Sequence, residues 1–250
     1  MKSVLVTGGA RRIGAAISTR LAQAGWRVVI HYRQAPEEAE ALASALGALT
    51  IGADLEDARA AEDLPKRAIA LLGAPLSAVV NNASIFGHNT AADFSLGEWE
   101  RDLAVNLRAP VLIARAFAKT LAPGRTGVVV NMLDQKLWNL NADFFTYTIS
   151  KIGLEGATRL LAKALAPSVR VNAVAPGLAL PSGDQTAEEF GAVAAKYNLM
   201  QRPIDIDAIA GAVQFLLENS AVTGAAILVD NGQHMVASDH DIMFTTRGRA

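Results

Sequence analysis

Residues 4–14 read Val4-Leu5-Val6-Thr7-Gly8-Gly9-Ala10-Arg11-Arg12-Ile13-Gly14. A β-branched apolar run passes straight into a glycine turn, and the turn into a helical pattern over Ile13–Ala24. This is a strand–turn–helix unit. Gly8 allows the sharp bend, and Gly14 allows the helix to lie close to the sheet. The helix N-terminus then presents unpaired N–H groups and a positive dipole end, which suit a pyrophosphate. A glycine turn alone says little. At the first strand of an alternating β/α chain it points to a dinucleotide site.

The rest of the chain alternates in the same way. Apolar runs predict strands at Val4–Thr7, Val28–His31, Leu49–Gly52, Ala78–Asn81, Val128–Asn131, Arg170–Val174 and Ala226–Val229. Most of these runs are continuous, as expected of parallel strands covered on both faces. Helical patterns fall at Ile13–Ala24, Pro36–Leu46, Ala60–Leu72, Trp99–Leu121, Phe144–Ala166 and Asp205–Leu217. Gly25, Gly47 and Gly73 stand just past three of them, where helices commonly end. The expected fold is α/β: a Rossmann-like, doubly wound parallel sheet of about seven strands flanked by helices. One domain over residues 1–250 is expected. The irregular stretch 177–200 is its candidate substrate lid, and residues 236–250 form a tail of the kind that is usually mobile.

Composition removes several classes of function. With 51% apolar and 19% charged residues in 250, the chain is not disordered. It carries 23 basic and 24 acidic side chains, so it lacks the basic excess of a nucleic-acid or membrane-surface partner. It has no cysteine, which excludes disulfides, thiolate metal sites and cysteine nucleophiles. His31, His88, His234 and His240 are scattered without ligand spacing, so no metal site is expected. The first residues lack a signal-peptide pattern and no apolar run reaches membrane length, so the expected location is the cytoplasm.

The end of the second strand selects the dinucleotide. NAD-binding sites place a carboxylate there for the ribose 2′-hydroxyl. This chain reads Ile30-His31-Tyr32-Arg33-Gln34, with Arg11 and Arg12 in the turn opposite. Guanidinium groups match a phosphate in a bidentate, charge-assisted way, so NADP(H) is predicted. The expected cofactor contacts are Gly8, Arg11, Arg12, Ile13, Gly14, His31, Tyr32, Arg33, Asp54, Leu55, Asn81 and Ala83, with Tyr147, Lys151, Pro176 and Gly177 further on.

Asn81-Asn82-Ala83-Ser84 follows the fourth strand, and Asn106 sits in the next helical pattern. Tyr147-Thr148-Ile149-Ser150-Lys151 opens another helix, and Pro176-Gly177 follows the sixth strand. Together with the glycine turn, and in this order, these segments resemble the short-chain dehydrogenase/reductase family over residues 1 to about 235. The resemblance implies hydride transfer from a nicotinamide, a catalytic set of Asn106, Tyr147 and Lys151, Lys151 on the nicotinamide ribose, and a homotetramer. The chemistry of the pair is also readable directly. Four residues apart, Tyr147 and Lys151 share a helix face. A nearby ammonium favours phenolate, so Lys151 is expected to lower the Tyr147 pKa and ready it to deliver a proton.

Most members of that family carry serine thirteen residues before the tyrosine; here the position holds Asp134. An ionised carboxylate only accepts hydrogen bonds and repels a developing alkoxide. It suits a substrate that presents N–H groups or gains a proton on nitrogen, as in reduction of a C=N bond. Asp134, Tyr147 and Lys151 together resemble the set of pteridine and dihydromonapterin reductases. Arg12 in place of a glycine, His31-Tyr32-Arg33 and Phe86 agree with that group, where such a phenylalanine stacks the pterin on the nicotinamide. Ala179 departs from it, since those enzymes often have serine there. Trp138 reads either as a wall of the substrate pocket or as a packed tryptophan. The leading expectation is an NADPH-dependent reductase of a dihydropterin, with a small-molecule substrate and no nucleic-acid or membrane partner. The alternatives are a carbonyl reductase of 3-oxoacyl thioesters and a non-catalytic NADP(H)-binding sensor or scaffold.

Overall fold

In the computed structural model, which describes residues 2–181 and 185–244, seven strands form one sheet. They are β1 (Ser3–Val6), β2 (Arg27–Tyr32), β3 (Leu49–Gly52), β4 (Ala78–Asn81), β5 (Gly127–Met132), β6 (Val169–Pro176) and β7 (Ala226–Val229). Every pairing is parallel and the order is β3-β2-β1-β4-β5-β6-β7. The chain winds outward from β1 to β3, then crosses back to β4. A crevice opens beyond the carboxyl ends of strands at such a reversal, here between β1 and β4.

Side-chain alternation divides the core between the two faces. Val4, Val6, Val28 and Ile30 pack on Ile17, Leu21, Ile209 and Val213 of α1 (Arg12–Gln23) and α8 (Ile206–Glu218), beside α2 (Pro36–Leu46). Leu5, Val29, Val79 and Val129 pack on Leu64, Ile113 and Phe117 of α3 (Ala58–Leu72) and α5 (Ala109–Thr120), beside α6 (Phe145–Leu165). Each such side chain, fully buried, stabilises the fold by roughly 1.5–3 kcal/mol.

Two stretches differ from the sequence reading. The helix expected over Trp99–Leu121 is α4 (Leu96–Leu103), a π-helical turn at Ala104–Arg108, and α5. Its true start is a capping box. Ser95 Oγ accepts from the Glu98 N–H at 3.2 Å, and the Glu98 carboxylate accepts from the Ser95 N–H at 2.8 Å. The irregular stretch 177–200 contains α7 (Ala187–Ala194), opened by the same device between Thr186 and Glu189. Residues 182–184 of the expected lid and 245–250 of the expected tail lie outside the described residues. No helix among the described residues is long and apolar enough to cross a membrane.

Candidate active site

The β1–α1 turn is wound tightly onto the first turn of α1. Gly8 has φ +59°, a backbone that L side chains rarely adopt, and a Cβ on Gly14 would stand 2.0 Å from the Gly8 carbonyl oxygen. Asn82 Nδ2 donates to the carbonyls of Thr7 and Gly8, each at 3.0 Å. The Gly8 N–H donates to His31 Nδ1 at 3.0 Å, so His31 Nε2 carries the proton and donates to the Ala53 carbonyl at 3.1 Å. Burial pushes the His31 pKa down to about 4, and the ring is neutral. His31 thus fixes the turn that a pyrophosphate would meet.

The N-terminus of α1 has no side-chain cap, which leaves its N–H groups directed at the crevice. Arg12, at φ +54°, donates to the Pro181 carbonyl at 2.7 Å. Arg11 pairs with Glu38, and Arg33 with Glu56 at 3.1 Å. All three arginines line one cavity of about 460 Å³, as do Gly8, Ile13, Gly14, His31, Asp54, Leu55 and Ala83. A glycine cradle, an uncapped helix end and three guanidinium groups fit a dinucleotide with an additional phosphate.

The opposite end of the cavity holds the titratable set. Asp134 lies just past β5 and starts a 3₁₀ turn, Gln135–Trp138, where its Oδ1 accepts from the Lys136 N–H at 2.9 Å. Its Oδ2 accepts from the Tyr147 hydroxyl at 2.8 Å. Lys151, one turn along α6, donates its Nζ to the Met132 carbonyl at 2.9 Å and lies 5.6 Å from the Tyr147 ring centroid. Burial pushes the Lys151 pKa down to about 8, against the pull of the Asp134 charge. Tyr147 is pushed well above the ordinary range of a phenol, first by burial, then by the charge and hydrogen bond of Asp134. This corrects the expected lowering by Lys151. The ammonium is directed at Met132, and the group on the phenol oxygen is a carboxylate. Tyr147 is therefore a neutral donor.

Phe86 is half-exposed on the cavity wall, its ring 5.9 Å from that of Tyr147. Pro176, Gly177 and Ala179 also line the cavity. Four expected contacts lie outside the lining. Asn106 spends its side chain on structure: it accepts from Ser84 Oγ and the Ile85 N–H and donates to the Ile85 carbonyl and Ser150 Oγ. Held by the π-helical turn, it ties the loop after β4 to α6. Asn81 Nδ2 donates to Asn131 Oδ1 at 2.8 Å, within the sheet. The Tyr32 ring covers Gly52. Trp138 is 40% exposed, away from the cavity.

Other lining residues escaped the sequence reading: Gln135, Gln233, Asp241 and Ile242. Gln233 Oε1 accepts from the Leu178 N–H at 2.8 Å and fixes the segment after Pro176-Gly177. Asp241 and Ile242 belong to the stretch expected as a tail, and they line the cavity. No local pattern marks them, because their partners are distant in the chain. Among the described residues, no group of three or more His, Asp or Glu side chains could hold a metal ion.

A family model described as enoyl-(acyl carrier protein) reductase matches residues 8–234. The crystal structure of FolM alternative dihydrofolate reductase 1 from Brucella suis, in complex with NADP, superposes with a TM-score of 0.90. It is 41% identical, over 95% of this chain and 96% of that one. The corresponding Brucella canis protein, also complexed with NADP, gives 0.87 and 40% identity over 94% of each chain. The 3-oxoacyl-[acyl-carrier-protein] reductase FabG of Staphylococcus aureus is 30% identical over 94% of this chain and 98% of its own length.

Proposed function

Because this chain belongs to the short-chain dehydrogenase/reductase family, we propose that it is an NADPH-dependent reductase of the C=N bond of a dihydropterin. One observation carries the reading: Asp134 hydrogen-bonded to the Tyr147 hydroxyl, where the family commonly has serine. The similarity to FolM supports it, since dihydrofolate is itself a substituted dihydropterin. Arg11, Arg12 and Arg33 would hold the 2′-phosphate, and the N-terminus of α1 the pyrophosphate.

NADPH, when bound, supplies the hydride that reaches the carbon of the C=N bond. The ring nitrogen then takes the released electron pair and becomes far more basic than a phenolate. Tyr147, kept neutral by burial and by Asp134, gives that nitrogen its proton. Asp134 accepts hydrogen bonds and can hold a substrate N–H. Phe86, on the cavity wall near Tyr147, would pack against a flat heterocycle. The same carboxylate would oppose the alkoxide of a ketone reduction.

The FabG similarity favours a second reading, reduction of a 3-oxoacyl thioester. A steady-state assay separates the two, with NADPH or NADH against a dihydropterin and an acetoacetyl thioester. Pterin turnover with NADPH is expected. Thioester turnover without pterin turnover would transfer the assignment to the second reading.

A further inference from the structure

The final described residues of the chain complete the substrate end of the cavity. After β7 the chain turns back so that Asp241 and Ile242 line the cavity with Asp134 and Tyr147. The return is pinned to residues immediately ahead of Tyr147. The Asp241 N–H donates to Asp143 Oδ2 at 2.7 Å. Phe244 stacks on Phe144 with centroids 5.9 Å apart, and the His88 ring meets Phe244 edge-on at 4.8 Å. His240 Nδ1 lies 3.4 Å from Asp143 Oδ2.

Lys136 organises the inner side of this segment. Its side chain is buried, donates to the Asp143 carbonyl at 2.5 Å, and stands 3.8 Å from Asp241 Oδ2. Its backbone N–H holds Asp134 Oδ1. One residue therefore positions both carboxylates of the cavity wall. Beside them, Gln135 lines the same cavity, is 8% exposed, and leaves its Oε1 without a hydrogen-bond partner. The two carboxylates suit an edge rich in N–H.

We propose that Asp241 is a specificity-determining residue, whose carboxylate accepts hydrogen bonds from the amino-pyrimidine N–H edge of the substrate. This rests on the dihydropterin reading above. A carboxylate paired with an amino-substituted ring makes charge-assisted hydrogen bonds, roughly twice as strong as neutral ones.

The test compares wild type with Asp241→Asn, which keeps the shape and removes the charge. KM for the dihydropterin should rise about tenfold with kcat within about twofold, the signature of lost ground-state binding. The oxidised pterin, as competitive inhibitor, should lose about tenfold in Ki. Its dioxo analogue, which lacks the amino group, should change by less than about twofold, as a cycle of paired changes requires. Wild type active on the pterin with an unaltered KM in the variant would overturn the assignment of Asp241 alone. So would equal losses for the amino and dioxo inhibitors, which would mean a general structural role. A wild-type enzyme that turns over no dihydropterin would overturn the underlying functional reading, and this inference with it.

Discussion

Burial, and then Asp134, hold the Tyr147 phenol above its ordinary range. The phenol donates to Asp134 Oδ2 at 2.8 Å, and burial acts in the same direction as the carboxylate. In the proposed reaction Tyr147 must be neutral to give a proton, so activity would be lost as pH rises through its pKa. A raised pKa extends activity to the alkaline side. Asp134→Asn removes the negative charge and keeps an acceptor. The alkaline limb of the kcat/KM profile should then move to lower pH, alongside a fall in turnover. An unmoved limb would separate Asp134 from the phenol. The identities of Asp134, Tyr147 and Lys151 were legible because helical spacing and fixed offsets are local properties of a chain. The direction of the Tyr147 shift was not. It depends on the burial of the phenol and on the Asp134 carboxylate at its oxygen, while the Lys151 ammonium is turned to a carbonyl on β5.

At the scale of elements, the β1–α1 unit was readable almost residue by residue. Its exception is Arg12, a side chain on a left-handed backbone at φ +54°. That conformation costs a non-glycine residue roughly 1–2 kcal/mol, which gives a physical reason why glycine is common at this position. Arg12→Gly relieves the cost but adds freedom to the unfolded chain, an opposing effect of about 0.4–1 kcal/mol. Stability in urea should stay within about 1 kcal/mol of wild type. NADPH affinity should fall about tenfold while NADH affinity holds, since a guanidinium lost from a phosphate acts only on the phosphorylated dinucleotide. Equal losses for both would remove Arg12 from the phosphate site. The interrupted helix α4–α5 was less legible. Apolar periodicity runs through the π-helical turn, and what it accomplishes is the burial of Asn106 against Ser84, Ile85 and Ser150.

For the whole molecule, His31 links global stability to pH. It joins the β1–α1 turn at Gly8 to the end of β3 at Ala53, and it is buried and neutral. Its folded pKa of about 4 lies below the value near 6.5 of an unfolded chain. The unfolded state therefore binds the proton first. The stabilisation is complete above about pH 6.5 and is lost as pH falls toward 4, by about 3 kcal/mol over that window. Urea unfolding of wild type and His31→Gln at pH 7 and near pH 4.5 checks this. The variant keeps an acceptor for the Gly8 N–H, and its stability should fall less steeply; parallel profiles would sink the assignment. The seven strands, the parallel sheet, the glycine turn after β1 and the spacing of Asp134, Tyr147 and Lys151 were readable from the chain alone. Apolar runs, glycine positions and helical offsets act over a few residues, where side-chain burial and backbone sterics dominate. Folding of the whole chain was needed to bury Lys136 between carboxylates and to bring Asp241 and Ile242 to the cavity. The Asp241 N–H meets the Asp143 carboxylate across 98 residues of sequence. A contact of that span is set by packing of the whole fold, and it leaves no periodicity in the chain.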